Sequence, residues 1–305
     1  MTGRAPLIAL LMMLGIGWGA TQPLAKIAVS EGYRHFGLVF WQLAIGAVVL
    51  GIVSLFRRKW LPVTGPHLRF YALIALIGTV LPNSASYQAA VHLPAGIMSI
   101  VISLVPMFAF PIALLLATDR FGWARLLGLL LGLAGVALIV GPEASLPERA
   151  MIFWVPIAMI APAFYALEGN VVAKWGTLEL DAVQVLFGAS VVGAIITLPL
   201  TLVTGQWIDP RPPWGAPDLG LVLSSLIHAV VYTTYVWLVG RAGAVFAAQV
   251  SYLVTGSGVL WAMVLLGESY SGWVWLALAL MFGGLFLVQP RPTTNLANSA
   301  VSGET

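Results

Sequence analysis

The sequence contains no cysteine and very few charged residues. Of its 305 residues none is cysteine, and only 8% are charged, against roughly 25% in soluble domains. The missing thiols exclude disulfides, cysteine nucleophiles and cysteine-ligated metals. The scarcity of charge excludes a water-facing exterior, because a soluble fold of this size needs far more polar surface. We therefore predict an integral membrane protein.

Catalytic and nucleotide-binding motifs are absent as well. There is no G-x-x-x-x-G-K-[ST], no H-E-x-x-H and no G-x-S-x-G, and of the four histidines only His228 lies deep in an apolar run. No charge ring or filter loop suggests a channel. The net charge is only +3, with basic residues scattered over short loops, which argues against a nucleic-acid site. We expect no enzyme activity, no cofactor and no metal.

Long apolar runs fill most of the chain. Hydrophobic residues make up 60% of it, and the mean hydropathy is +0.97. A hydrocarbon core about 30 Å thick needs about 20 apolar residues per helix. Ten transmembrane helices are predicted, at residues 5–28, 36–56, 69–92, 95–117, 123–141, 151–173, 180–204, 216–240, 244–267 and 273–289. The polar stretch 291–305 is predicted to be a disordered cytoplasmic tail.

The basic residues also predict the orientation of these helices. If the N-terminus is cytoplasmic, ten of the 14 lysines and arginines fall on the cytoplasmic side, many of them in "FRRKW" at 56–60. Cytoplasmic loops carry an excess of such residues. We therefore expect a multi-pass protein of the plasma (inner) membrane with both termini in the cytoplasm.

A weak internal repeat aligns the chain with itself at an offset of about 148 residues. It places Lys26 on Lys174 and Tyr87 on Tyr235. Five helices separate the copies, and because five is odd the second copy must be inserted upside down. Such inverted repeats are typical of transporters. The predicted fold is an all-α membrane protein of ten transmembrane helices in two inverted five-helix repeats, residues 1–142 and 150–290.

Several motifs resemble a known family. They are "WGATQPLAK" in helix 1, "AGIMSIVISLVPMFAFPIALLLATDRFGWARLLGLLLGLAGVALIV" over helices 4 and 5, and the second-half stretch that begins "AGAVFAAQVSYLVTGSG". They resemble the drug/metabolite transporter superfamily in its ten-helix EamA-type branch, and most of all bacterial aromatic amino-acid and drug exporters. Pro106, Asp119 and Glu268 match the family pattern, whereas Val254 stands where the repeat would place a proline.

The resemblance, together with the inverted repeat, implies a secondary transporter. It would export small amphipathic metabolites, or facilitate their diffusion, by alternating access around a central cavity. Amino acids, including aromatic ones, are the expected substrates. The alternative is a flippase or exporter of a lipid-linked or drug-like substrate. Expected partners are the small-molecule substrate and the lipid bilayer, with a monomer as functional unit and a homodimer left open.

Polar side chains inside apolar helices are costly unless they line a cavity or find partners. His228, Tyr232 and Tyr235 share one face of helix 8. We predict a cavity lined by helices 1, 3, 4, 6, 8 and 9, with helices 2 and 7, poor in interior polar groups, at the periphery. Bridging between helices is the competing structural role for each residue. The candidate substrate-binding residues are Trp18, Gln22, Asn83, Tyr87, Gln88, Ser99, Tyr165, Glu168, His228, Tyr232, Tyr235, Gln249 and Tyr252.

Glu168 interrupts the apolar run of helix 6. A bare carboxylate near the centre of a membrane helix costs on the order of 2.5–3.5 kcal/mol. The repeat counterpart is Ala20, so the shared architecture does not require an acid. Three roles are open: contact with a substrate ammonium or a gate, a proton site, or an ion pair with Arg120, Arg125 or Arg241.

Glycines and prolines predict packing and hinges. Gly128, Gly132 and Gly135 form a small-residue face on helix 5, and Gly283–Gly284 lies at the matching place in helix 10. We expect these faces to pack one repeat against the other. Proline can kink a helix, and at least one is expected to act as a hinge. The prolines of the cavity helices are Pro23, Pro82, Pro106, Pro111, Pro156 and Pro162.

Overall fold

The computed structural model of the chain describes residues 4–142, 145–242 and 249–288. Within these ranges there are ten long apolar helices joined by short loops. They are α1 Ala5–Val29, α2 His35–Arg57, α3 Gly65–His92, α4 Ala95–Leu115, α5 Trp123–Val140, α6 Arg149–Trp175, α7 Ala182–Val203, α8 Ala216–Ala242, α9 Val250–Leu266 and α10 Gly272–Leu287. Eight are long and apolar enough to cross a membrane, and α9 and α10 are shorter apolar helices. This confirms the predicted fold class; the predicted tail 291–305 lies outside the described residues.

Three helices become irregular in the turn that precedes a proline. Proline has no N–H to donate to the carbonyl four residues earlier, so the regular ladder is weakened there. The proline and the carbonyl that loses its donor are, in chain order, Pro23 with Gly19, Pro82 with Gly78, and Pro106 with Ile102. Accordingly, α1 breaks at Ala20, α3 forms one π-helical turn over Leu76–Val80, and α4 breaks between its segments ending at 102 and starting at 105.

The two halves of the chain pack as symmetric partners. α2 packs on α7, α4 on α9 and α5 on α10, while α1 packs on α8 as α3 packs on α6. Equivalent positions meet in the last two interfaces: Tyr165 bonds Asn83 between α6 and α3, and a Cβ added to Gly17 of α1 would lie 3.4 Å from Val231 Cγ2 of α8. Exchanging the halves therefore maps one interface onto the other. With five helices per half, this symmetry inverts one repeat relative to the other.

The pair α5–α10 confirms the predicted packing of glycine faces. A Cβ added to Gly128 would lie 2.6 Å from the carbonyl oxygen of Gly284, and a Cβ added to Gly284 would lie 2.6 Å from that of Gly128. Any larger side chain would push the two backbones apart. The glycines therefore set the close approach between the last helices of the two halves.

An ion-pair cluster fastens one end of the α2–α7 interface. Asp181 caps the N-terminus of α7 in a capping box with Gln184. Its carboxylate also accepts hydrogen bonds from Arg57 at 2.8 Å and Lys59 at 3.1 Å. Burial acts to raise the pKa of Asp181, but the hydrogen bonds from Arg57, the Gln184 N–H and Lys59 outweigh it and lower the pKa to about 2.

Candidate functional site

Two helix pairs, α1–α8 and α3–α6, carry most of the predicted site residues; we call the pairs the two walls and the region between them the central crevice. Each pair packs closely. Among the described residues, the walls pack on each other where Thr21–Val29 of α1 meets Leu81–His92 of α3, and no extended packing joins α6 to α8. Glu168 of α6 nevertheless lies within electrostatic range of Tyr232 of α8. The space between the walls is thus closed at the end where α1 meets α3.

The α1–α8 side presents four aromatic rings, which we name the aromatic wall: Trp18, His228, Tyr232 and Tyr235. Trp18 packs edge-on against the other three, with ring centroids 5.9, 5.8 and 5.7 Å away in that order. His228 stacks on Tyr232 at 5.9 Å. These contacts confirm that the three α8 residues share one face. All four are half-buried.

The α3–α6 side carries a hydrogen-bonded group that we name the polar network: Gln42, Asn83, Tyr87 and Tyr165. Gln42 Oε1 accepts from Asn83 Nδ2 at 2.8 Å and from Tyr87 Oη at 3.1 Å. Asn83 Oδ1 in turn accepts from the Tyr165 hydroxyl. Asn83 and Tyr87 are buried. The network ties α2, α3 and α6 together and orients the Tyr165 ring at the edge of the crevice.

α2, predicted at the periphery because it has few interior polar groups, contributes one polar side chain to this network. Gln42 of α2 is the acceptor that joins two of the predicted site residues. One glutamine in a 23-residue apolar helix produces no periodic signal, so the sequence pattern does not predict this role. The only available sign was the glutamine itself, in "FWQLAIG".

Glu168 lies between the two walls, half-buried, in electrostatic range of Tyr165 as well as Tyr232. Its carboxylate fills the space left by Gly78 in the π-turn of α3, since a Cβ there would lie within 2.8 Å of it. Among the described side chains none forms an ion pair with it, and Arg125 is bound to Asp119 instead.

The predicted pairing of Glu168 with Arg125 is therefore not seen. The side chain of Arg241 lies outside the described residues, and Arg120 is exposed at the end of the bundle. A carboxylate without a cationic partner among the described residues, in electrostatic range of two tyrosines, is chemically able to pair with an ammonium group. Gly78, which makes room for it, was not singled out from the sequence.

Five predicted residues belong neither to the aromatic wall nor to the polar network: Gln22, Gln88, Ser99, Gln249 and Tyr252. Ser99 is fully buried, and its hydroxyl donates at 3.0 Å to a carbonyl of its own helix. Gln88 is exposed and does the same at 3.0 Å. The Tyr252 ring packs 5.9 Å from Phe282 of α10. Gln22 and Gln249 are half-buried. The structure thus gathers seven of the thirteen predicted residues into the aromatic wall and the polar network, with Glu168 in electrostatic range of a tyrosine of each.

A family model decides what kind of protein this arrangement belongs to. The EamA-like transporter family matches the chain twice, over residues 5–141 and 152–289. The chain belongs to the EamA-like transporter family. It is therefore a multi-pass integral membrane transporter and not an enzyme. The two matched segments coincide with α1–α5 and α6–α10.

Individual relatives of this EamA protein span nearly its whole length. It is 25% identical to a probable terminal-alkyne amino-acid exporter of Streptantibioticus cattleyicolor, covering 92% of both chains. It is also 25% identical to the uncharacterized inner membrane transporter YedA of Escherichia coli strain K12, over 93% of this chain and 90% of YedA. A solved crystal structure superposes with a TM-score of 0.64 over 98% of this chain and all of the other; at 19% identity, this likeness shows the fold alone.

Proposed function

We propose that this EamA protein exports small amphipathic amino acids, including aromatic ones, by alternating access through the central crevice. The observation that carries the proposal is the position of Glu168. Its carboxylate has no ion-pair partner among the described side chains and faces the aromatic wall. An amino acid could place its ammonium group at Glu168 and its side chain against the rings of Trp18 and Tyr232.

The relative from Streptantibioticus, named as an amino-acid exporter, supports the substrate class. The relative named as an inner membrane transporter supports a location in the plasma (inner) membrane. The excess of lysine and arginine in alternate loops supports cytoplasmic termini. Both walls come from one chain, so a monomer suffices as the functional unit, with residues 1–142 and 150–290 as the two moving halves.

Efflux from proteoliposomes tests the proposal. Vesicles loaded with radiolabelled phenylalanine should release it through the wild-type protein with saturation. Glu168→Gln should reduce efflux by about ten-fold or more, because loss of one partner of a buried charge pair costs several kcal/mol. Glu179→Gln, which removes an exposed acid just beyond α6, serves as the matched control. 3-Phenylpropionate, which lacks the ammonium group, should compete poorly.

Wild-type efflux by a well-folded Glu168→Gln variant would contradict the role of this carboxylate. Efflux that is indifferent to the ammonium group would favour the alternative, a lipid-linked or drug-like substrate. One observation favours that alternative: an apolar hollow of about 370 Å³ lies beside α3 and α6, lined by Phe70, Leu73, Val171, Trp175, Gly176 and Leu178. Hydrophobic drugs added to the same vesicles would then inhibit more strongly than amino acids.

A further inference from the structure

Lys26 holds the closed end of the crevice, which we call the Lys26 end. Its ammonium group donates to the carbonyl oxygens of Ala90 at 2.7 Å and Val91 at 3.1 Å. These carbonyls belong to the last turn of α3, where the helix leaves acceptors unsatisfied and its dipole favours a cation. Glu268, just after α9, also lies within electrostatic range of Lys26. Lys26 is therefore bound to the end of α3 with the end of α9 close by.

Lys174, the repeat counterpart of Lys26, makes a different contact at the opposite end, which we call the Lys174 end. Its ammonium group donates to the carbonyl oxygen of Leu116 at the end of α4, at 2.9 Å. The offset of about 148 residues makes Leu238 and Val239, at the end of α8, the counterparts of the two carbonyls that Lys26 binds. Lys174 is thus bound to the end of α4 and not to the end of α8.

Helix packing follows the same asymmetry. At the Lys26 end, the second half of α1 packs on both α3 and α4. The counterpart contact, α6 on α8, has no extended packing among the residues that the structure describes. The Lys26 end is therefore closed, with Lys26 bound to α3, the third helix of its own repeat. At the Lys174 end, Lys174 is bound to α4, the fourth helix of the other repeat.

We propose that Lys26 and Lys174 are paired positioning residues that exchange acceptors during the transport cycle proposed above. In the state described, Lys26 binds the end of α3 and Lys174 the end of α4. In the opposite state, Lys174 binds Leu238 and Val239 and closes its end, while Lys26 moves to the end of α9. Repeat symmetry makes the second state the mirror of the first.

The chemistry of lysine suits such an exchange. Its ammonium group is a compact charge with three donors on a flexible stem, so it can move between neighbouring carbonyls without a fixed orientation. Each lysine has acceptors in both states, so neither charge is left bare within the bilayer. The closing contact has two carbonyl acceptors at Lys26, whereas the resting contact at Lys174 has one.

Spin-label distances measured without substrate test the exchange directly. Because the chain has no cysteine, pairs of cysteines can be introduced without background. Ser30→Cys with Val91→Cys reports on the Lys26 end, and the counterpart pair Leu178→Cys with Val239→Cys reports on the Lys174 end. Electron–electron resonance then gives the populations of short and long distances in detergent or nanodiscs.

Opposite shifts are expected from the two lysine variants. Lys26→Met should lengthen the first pair and shorten the second, and Lys174→Met should do the reverse. Each should change the ratio of the two states by about five-fold, the size of one additional hydrogen bond. Lys59→Met, which removes a lysine outside the exchange, should leave both distributions unchanged. Unchanged distributions in both lysine variants, or shifts in the same direction, would overturn the proposal.

Cross-linking covers the case in which a lysine variant does not fold. With both lysines intact, a disulfide between the cysteines at positions 30 and 91 should hold the Lys26 end closed and stop efflux, and reduction should restore it. Undiminished efflux in the cross-linked protein would also overturn the exchange. Because the distances need no substrate, a negative result leaves the assignment of amino acids as cargo standing.

Discussion

The interfaces α3–α6 and α1–α8 share one geometry and differ in chemistry. Equivalent positions meet in both, yet one interface is polar at its centre and the other is apolar or aromatic. The repeat offset pairs Gly78 with Leu226, Glu168 with Ala20, Asn83 with Val231, and Tyr165 with Gly17. Across these interfaces, Gly78 faces the Glu168 carboxylate and Asn83 bonds Tyr165, whereas Gly17 faces Val231. Equivalent positions of the two interfaces therefore differ in polarity.

This difference distinguishes the residues that the shared fold of the two halves requires from the residues that the proposed substrate would require. A symmetric framework lets the halves exchange conformations. The proposed substrate, with an ammonium group and an apolar side chain, is not symmetric, and a carboxylate on one wall with rings on the other would match it. The π-turn at Gly78 admits that carboxylate without altering the helix packing around it. The two interfaces thus differ in side chains and, at the π-turn of α3, in backbone, because α8 is a continuous α-helix over the counterpart residues.

The largest effect is expected when the α3–α6 interface is given the residue of its counterpart. Gly78→Leu would drive a side chain into the Glu168 carboxylate, because a Cβ alone lies within 2.8 Å of it. Overpacking of this kind costs about 3 kcal/mol, or about 8 °C in melting temperature for a protein of this size. Thermal unfolding in detergent, followed by size-exclusion chromatography, measures the loss.

A second change should reverse that loss. Glu168→Ala in the Gly78→Leu background removes the carboxylate that the new leucine would strike and introduces the residue types of the counterpart positions, Leu226 and Ala20, so stability should recover by at least about 2 kcal/mol relative to additivity. Glu168→Ala alone is the matched control. If the two effects simply add, the interfaces do not tolerate the same exchange of volumes, and the comparison between them fails.

The sequence predicts the helical framework more completely than the candidate site. Hydropathy located the ten helices, and the glycines of α5 and α10 revealed a close contact, because both signals are local and repeated. Glu168 was visible as an acid in an apolar run. Gln42 was not, since a single amide has no periodicity, and its role arises from Asn83 and Tyr87 of another helix. Ser99 is a polar residue in an apolar helix like the other candidates, and only the structure shows that its hydroxyl donates to a carbonyl of its own helix.

An intermediate effect is expected from removing the centre of the polar network. Asn83→Val introduces the residue of the counterpart position and leaves the Tyr165 hydroxyl without its acceptor. An unsatisfied buried group costs about 1–3 kcal/mol, so the melting temperature should fall by about 4 °C. Tyr165→Phe in the same background removes the stranded hydroxyl and should recover part of this loss. Val231→Ala in α8 is the control for lost volume, and an equal fall there would mean that packing, not hydrogen bonding, matters at this position.

The smallest effect concerns the α2–α7 interface, which joins the halves and is fastened by charge at Asp181. The repeat counterpart of Asp181 is Tyr33, just before α2, and its hydroxyl donates to Asp218 at 2.6 Å. A carboxylate at this repeat position therefore caps α7 but not its counterpart α2. The folded pKa of Asp181, about 2, lies below the value of about 3.9 for an unfolded chain. The stabilisation is therefore fully present above about pH 4 and is lost as the pH falls toward 2.

Asp181→Asn should thus lower the melting temperature at neutral pH by about 2 °C, since a partly exposed pair contributes about 1 kcal/mol after screening. The gap between the wild type and the variant should close as the pH falls from about 4 to about 2, because protonation removes the same charge from the wild type. Asp209→Asn breaks an exposed pair with Arg211 inside one loop and should leave the melting temperature unchanged. A gap that persists at pH 2 would mean that the capping geometry, and not the charge, fastens this end of the interface.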